Sequence, residues 1–206
     1  MNSARIPLFP LDLVLFPGQA LPLHIFEPRY REMTRHCIET QSPFGIVLAR
    51  ETSLARTGCS AIISKILKTY EDGRSDILTA GQHAFRLAGT RDEKPYLEGD
   101  VEYLDEDFSN VDPAISSRLV EIYNRCHHVL YGEDGPRFDA EGGISLAYHA
   151  ASELPVHTPV RQEILETRSE AERQRMLLAH LEEWYPQLER RERVRGKAAG
   201  NGHGAL

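Results

Sequence analysis

At 206 residues, with 41% hydrophobic and 27% charged side chains, the chain has the composition of an ordinary soluble globular protein: one sizeable domain, or a domain with a smaller companion. Its 31 acidic residues outnumber the 24 basic ones, giving a net charge of -7. That balance argues against a surface built to neutralise nucleic-acid phosphates and points to proteins or a small ligand as partners. Cys37, Cys59 and Cys126 are scattered and form no C-x-x-C pair. A disulfide framework is therefore not expected, and a reducing, cytoplasmic compartment is.

The opening run MNSARIPLFPLDLVLFPGQALPL is apolar enough to raise the question of a membrane span or signal peptide. Pro7, Pro10, Pro17 and Pro22 would break such a helix, and Asp12 would lie in hydrocarbon. No basic leader precedes it. Membrane association is not expected. The run instead reads as short edge strands and turns, because a proline cannot donate to a strand ladder.

The helix expected next is PRYREMTRHCIET, residues 28–40, with Tyr30, Met33, Cys37 and Ile38 on one face. Pro28 suits its first turn, where the missing N–H costs nothing. Glu27 then stands at the positive end of the helix, with Arg29 and Arg31 within reach. We read Glu27 and Arg29 as a partly buried charge pair that fixes a strand-to-helix junction. PFGIVLA, Pro43 to Ala49, has the length and β-branching of a buried strand. Two further strands flank Glu71-Asp72-Gly73-Arg74, where Asp-Gly is a strong hairpin signal. HAFRLAGTRDEKPYLEGDVEYLDED adds two more around a polar loop, for roughly six strands in a small sheet or barrel.

The second half turns helical. Asp112-Pro113 starts a helix whose stripe is Ile115, Leu119, Ile122, Cys126, Val129 and Leu130, ending near Gly132. YGEDGPRFDAEGG reads as an exposed loop. ISLAYHAASEL is a short helix closed by Pro155, and Thr158-Pro159 opens another through Glu166. Ser169 with Glu172 forms a capping box for a long helix carrying Met176, Leu177, Leu181, Trp184 and Leu188, which Pro186 should kink or end. The reading is therefore a β-rich part over 1–110, a helical part over 111–195 and a disordered tail over 196–206.

Reactive constellations are hard to find. Gly196-Lys197 is not a phosphate loop, and neither a G-x-S-x-G elbow nor an H-E-x-x-H pair occurs. Ser64 and Lys65 are adjacent in a strand, so alternation should send them to opposite faces. Cys126-His127-His128 and His36-Cys37 lack ligand spacing, since neighbours on a helix diverge by about 100° per residue. His149, His157 and His180 are isolated, and His83 reads as a satisfied strand histidine. The basic run Arg190, Arg191, Arg193, Arg195 and Lys197 is diluted by Glu189 and Glu192 and suits a helix C-terminus. Trp184, Tyr185 and Leu188 read as core. No catalytic residue, cofactor or metal is expected.

The run IPLFPLDLVLFPGQALPLHIFEPRYREM, with Phe16-Pro17-Gly18 and Phe26-Glu27-Pro28-Arg29-Tyr30, resembles the opening of the Lon protease substrate-binding domain. The resemblance continues through Gly45-Ile46-Val47, the Thr57-Gly58-Cys59 turn, Gly81, Phe85 and Arg86, and the helical segments to about Glu183. It implies an α+β fold, a PUA-like β-rich pseudobarrel followed by a helical bundle, and a stand-alone member without ATPase or protease modules. It gives the motif residues structural roles and assigns none to peptide binding. The implied function is a non-catalytic module that binds unfolded or partly folded polypeptides through exposed apolar segments, with a protease or chaperone as further partner. Because PUA-like folds include RNA-binding domains, a nucleic-acid binder is the competing reading. An enzyme acting on a small molecule would need a closed polar pocket.

Overall fold

A computed structural model describes residues 3–136 and 145–200, without the side chains of 193 and 195–200. The described residues form strands β1 Ser3–Leu11, β2 Ala20–Ile25, β3 Phe44–Ala49, β4 Leu54–Thr69, β5 Ser75–Arg91 and β6 Glu98–Tyr103. They also form helices α1 Pro28–Thr40, α2 Pro113–Tyr131, α3 Leu146–Glu153, α4 Thr158–Glu166 and α5 Glu170–Gly200. Two compact units result: Met1–Glu106 with Val156–Arg168, and Asp107–Pro155 with Ser169–Leu206.

In the first unit the strand order is β2-β5-β4-β3-β1-β6, and β5 also pairs with β6. The sheet therefore closes through five strands, and β2 lies outside the ring on the first half of β5. Alternation in β1 sends Ile6 and Leu8 into the ring, where they meet Val47, Phe85 and Val101. The fully buried Phe85 ring fills the space left by two missing side chains. A Cβ on Gly45 or on Gly58 would come within 2.7 Å of its Cζ. On the other side of β1, Phe9 packs on Tyr30 of α1, with ring centres 4.2 Å apart.

β1 is not the edge strand that its prolines suggested, because it runs between β3 and β6. β6 pairs with residues 3–7 and β3 with 8–11, so each half has a strand on one side only. Pro7 and Pro10 are tolerated in that setting, since an absent N–H costs least beside an unpaired side. β2, which holds Pro22, is a true edge.

Helix α1 begins at Pro28, and Gln41 ends it in the left-handed region at φ 51°. Its buried face is Tyr30, Met33, Thr34 and Cys37. Ile38 was expected there but is 40% exposed.

The helix expected from Thr158-Pro159 forms, but it belongs to the sheet unit rather than the helical part. The reason is polar. Arg161 Nη2 donates to the Val14 carbonyl at 2.9 Å and to Gln19 Oε1 at 3.1 Å. Its guanidinium lies 4.5 Å over the Phe16 ring. Burial pulls the Arg161 pKa down to about 10, which leaves it charged at neutral pH. Gln162 Nε2 adds a bond to the Thr57 carbonyl at 3.0 Å.

The second unit holds α2, α3 and α5. Asp112 caps α2 by accepting from the Ala114 N–H at 2.8 Å, and Gly132 closes it at φ 82°. Of the expected α2 stripe, Leu119, Ile122 and Cys126 are buried, together with Tyr123 and His127. α5 starts where the Ser169 signal placed it, with the Glu172 N–H 3.4 Å from Ser169 Oγ. It runs on through Pro186, which does not end it, although the carbonyl of Glu182 loses its usual donor there. The backbone stays helical to Gly200, into the stretch read as a disordered tail, where Lys197, Ala198 and Ala199 favour helix. Residues 137–144 of the expected loop and 201–206 of the tail lie outside the described residues.

At the centre of this unit sits a buried ionic cluster. Arg173 is wholly buried and donates through Nε to Glu170 Oε2 at 3.0 Å and through Nη1 to the Tyr148 hydroxyl at 2.6 Å. Glu170 also accepts from Ser145 Oγ, the Ala147 N–H and Gln174 Nε2. Each charge is compensated, the condition under which a buried pair is tolerated.

Candidate functional site

The feature that stands out in the sheet unit is an arm. β3 pairs with β4 only as far as Ala61, opposite Phe44. Beyond that point β4 keeps β5 on one side, while no described strand pairs with its outer edge. Ser64 to Thr69 are exposed, including Ile66 and Leu67 at about half of their full surface. Two irregularities, between Ile63 and Lys65 and between Ile66 and Lys68, break the alternation that would turn one face inward.

A groove of about 350 Å³ runs between this edge and the end of α1. Cys37, Ile38 and Gln41 line it from the helix, and Ile62, Lys65 and Ile66 from the strand. Its size falls at the lower end of ordinary ligand pockets. Ile38, displaced from the expected helix core, is part of this wall, so the misfit of one residue in the α1 pattern has a structural counterpart.

Ser64 and Lys65, expected on opposite faces, lie at the irregularity between Ile63 and Lys65, and both contribute atoms to the groove lining. Ser64 Oγ is already used, donating to the Leu78 carbonyl at 2.9 Å.

The other motif residues hold the fold. Phe16 is wholly buried under Arg161. Pro17 and Gly18 make the turn in which the Gln19 N–H bonds the Phe16 carbonyl, with Gly18 at φ 81°. A Cβ on Gly58 would lie 2.6 Å from the Ile46 carbonyl oxygen. Glu27 and Arg29 do pair, Arg29 Nε to Glu27 Oε2 at 2.9 Å, and Arg29 also lies over the Tyr30 ring at 4.5 Å. They are surface groups, however, with side chains 39% and 52% exposed, and the Glu27 side chain makes no capping bond. An exposed pair of this kind stabilises by about 0–1 kcal/mol, so the partly buried junction expected from sequence is a surface one. Arg31 points to the hairpin and packs on Gly73.

Phe26 is 58% exposed and stacks on His24, whose ring also meets the edge of Tyr70. Asp76 joins them by accepting from the Tyr70 hydroxyl at 2.8 Å and pairing with His24. The hydrogen bond from His24 and then that from Tyr70 hold the Asp76 carboxyl below its ordinary value. This cluster sits on the same arm, at the junction of β2, β4 and β5.

The sequence-level ligand candidates do not converge. Cys126 is buried, and burial pushes its thiol up to about 12; the Cys37 thiol is likewise pushed up to about 11. Both stay protonated at neutral pH, which makes them poor nucleophiles and ligands. His127 Nδ1 bonds the Glu133 carbonyl at 2.8 Å, and His128 is exposed beside Asp134. His83 is exposed against the edge of Tyr103 rather than satisfied inside the sheet. Among the described residues no three His, Cys, Asp or Glu side chains gather into a group able to hold a metal ion. Arg190 and Arg191 are exposed, while Trp184 and Tyr185 are half-buried and only Leu188 is core. No described helix is long and apolar enough to cross a membrane.

A small closed sheet with an open groove on its surface, and a separate helical unit, define an α+β protein. The chain belongs to the family of the ATP-dependent protease La (LON) substrate-binding domain, whose pattern matches residues 5–183. It is 27% identical over 187 residues to the Lon protease of Paraburkholderia phytofirmans, covering 81% of this chain and 23% of that protein. It is 31% identical over 110 residues to the Lon protease of Parabacteroides distasonis, covering 49% of this chain and 13% of that one. The chain thus spans less than a quarter of the length of these relatives. Among solved structures, the Lon N-terminal domain protein from Xanthomonas campestris aligns with a TM-score of 0.68 and 25% identity, over 85% of this chain and 98% of that one. The N-terminal domain of the Mycobacterium avium complex Lon protease aligns at 0.63 with 15% identity, over 87% of this chain and 98% of that one, a likeness of fold alone. The α+β fold expected from the Lon resemblance is the fold observed.

Proposed function

We propose that this chain binds unfolded or partly folded polypeptides through exposed apolar segments, and that it does so to select substrates for ATP-dependent proteolysis. One observation carries the reading: among the described residues no strand pairs with the outer edge of β4 beyond Ala61, which runs beside an isoleucine-lined groove. An unpaired edge offers a row of backbone donors and acceptors to any extended chain, and the groove beside it accepts apolar side chains. The family adds support, since its described role is substrate binding and the matched domain is the non-catalytic one. A protease or chaperone that receives the bound chain is the further partner in this reading, and the cytoplasm is its setting.

A nucleic-acid role has less support. Lys68 and Arg74 do flank the Tyr70 ring, at 4.5 and 5.0 Å, but they share the hairpin with Glu71, Asp72 and Asp76. The test is fluorescence anisotropy with labelled, chemically unfolded casein. Saturable binding in the micromolar range is expected, and no binding at tens of micromolar by folded protein would sink the proposal.

A further inference from the structure

The outer edge of β4 has a charge signature as well as an apolar one. From Ile62 to Lys68 it reads Ile-Ile-Ser-Lys-Ile-Leu-Lys, with no carboxylate. In a chain of net charge -7, the groove beside this edge is lined by a single charged residue, and it is the cation Lys65. Lys65 pairs through its backbone with Leu78 of β5, but its side chain makes no ion pair or hydrogen bond among the described residues, whereas Lys68 lies over the Tyr70 ring. Nearby carboxylates are engaged: Asp72 holds Arg74, and Asp76 holds His24 and Tyr70. Gln41, across the groove, also has no hydrogen bond from its side chain.

These facts discriminate between occupants. A second copy of this chain pairing edge to edge would set Lys65 and Lys68 against lysines, and like charges opposite one another destabilise a ladder. Lysine on an open edge is a common guard against such self-pairing. A basic segment meets the same repulsion. A wholly apolar segment fills the groove but leaves Lys65 unsatisfied. The complement of this edge is a strand that brings isobutyl-sized side chains to Ile38, Ile62 and Ile66 and a carboxylate to Lys65.

We propose that residues 62–68 of β4 accept, by strand addition, an extended segment in which apolar and acidic side chains alternate, and that Lys65 is the residue that selects for the carboxylate. The proposal rests on the polypeptide-binding reading above and narrows it to a substrate class. Main-chain pairing supplies affinity common to all sequences, and the side chains beside the edge supply choice. The choice is modest, because one exposed ion pair changes affinity by about fivefold at most. It also weakens with salt, since an exposed pair is screened.

The experiment is anisotropy with fluorescein-labelled peptides of about nine residues, the length of an ordinary strand. Valine alternates with Glu, Gln or Lys in these peptides, and a further Val-Glu peptide is N-methylated at alternate amides. Unfolded casein serves as the reference. The Val-Glu peptide is expected to bind about fivefold more tightly than Val-Gln, and Val-Lys most weakly, with the gap closing at high salt. Lys65→Gln should erase the difference between Glu and Gln peptides, and Lys65→Glu should reverse the order. The N-methylated peptide should lose binding.

Equal binding of Glu and Gln peptides, with casein still bound, overturns the acidic preference and leaves the polypeptide-binding reading standing. A preference that survives Lys65→Gln overturns the assignment to Lys65. Undiminished binding of the N-methylated peptide overturns strand addition. Absence of binding by casein and by every peptide sinks the underlying reading itself. Should a Lys65 variant fail to fold, as judged by circular dichroism, the peptide series on the unaltered protein decides the matter.

Discussion

From Ala55 to Ala61, β4 runs between β3 and β5 and is largely buried; from Ile62 onward the same strand keeps β5, loses β3 and lies exposed. The buried half, Ala-Arg-Thr-Gly-Cys-Ser-Ala, has a single β-branched residue, whereas the exposed half carries Ile62, Ile63, Ile66 and Leu67. Intrinsic strand preference and hydrophobicity would therefore bury the other half. What separates them is closure. In the first half, Gly58 makes room for Phe85 and the ring shuts around an apolar interior. In the second half nothing shuts, and isoleucines remain on a surface where a stability-driven sequence would place polar residues. One half of the strand is used to hold the fold, and the other is left available for binding.

This contrast can be broken most forcefully from the buried side. Phe85→Ala leaves a cavity in the closed ring and is expected to destabilise by about 3–5 kcal/mol, read as a shift of the urea midpoint at unchanged slope. A cost below about 1 kcal/mol would show that the ring can collapse around the loss and that closure is not the source of stability. From the exposed side, Ile62→Ser with Ile66→Ser is expected to leave unfolding free energy within about 0.5 kcal/mol of the parent. Casein affinity should fall markedly in the same protein. If stability falls instead and binding holds, the two halves are not the separate devices described here.

The smallest expected effect concerns pH. His24 and Tyr70 lower the folded-state pKa of Asp76, so their contribution is present above the ordinary aspartate value and is lost as pH falls through the lowered one. The thermal midpoint of the parent should therefore exceed that of Asp76→Asn at about pH 5, and the gap should narrow toward about pH 2. A gap that does not change over this range would show that the cluster at the root of the arm adds nothing to its order.

Much of this architecture was legible locally. The α1 boundaries follow from Pro28 and from the apolar spacing, and the β4–β5 hairpin follows from Asp72-Gly73, with Gly73 at φ 83°. Asp112 and Gly132 mark α2 because a carboxylate cap and a left-handed glycine are local devices. The Phe16-Pro17-Gly18 and Phe26-to-Tyr30 motifs placed the chain in its family. The groove beside β4 was harder to see. Its one trace in the sequence is the stretch Ile62 to Leu67, where aliphatic residues fall on consecutive positions and fit no single buried face.

The chain by itself determined the segments, since caps, turns, proline positions and apolar periods act over a few residues and need no distant partner. Only the tertiary structure decided which segments meet. It drew α4 to the sheet unit through Arg161, set Arg173 against Glu170 and Tyr148, put β1 inside the sheet despite its prolines, and left Glu27 and Arg29 at the surface. Those outcomes depend on long-range pairing, where desolvation, closure and available partners outweigh the preference of any one residue.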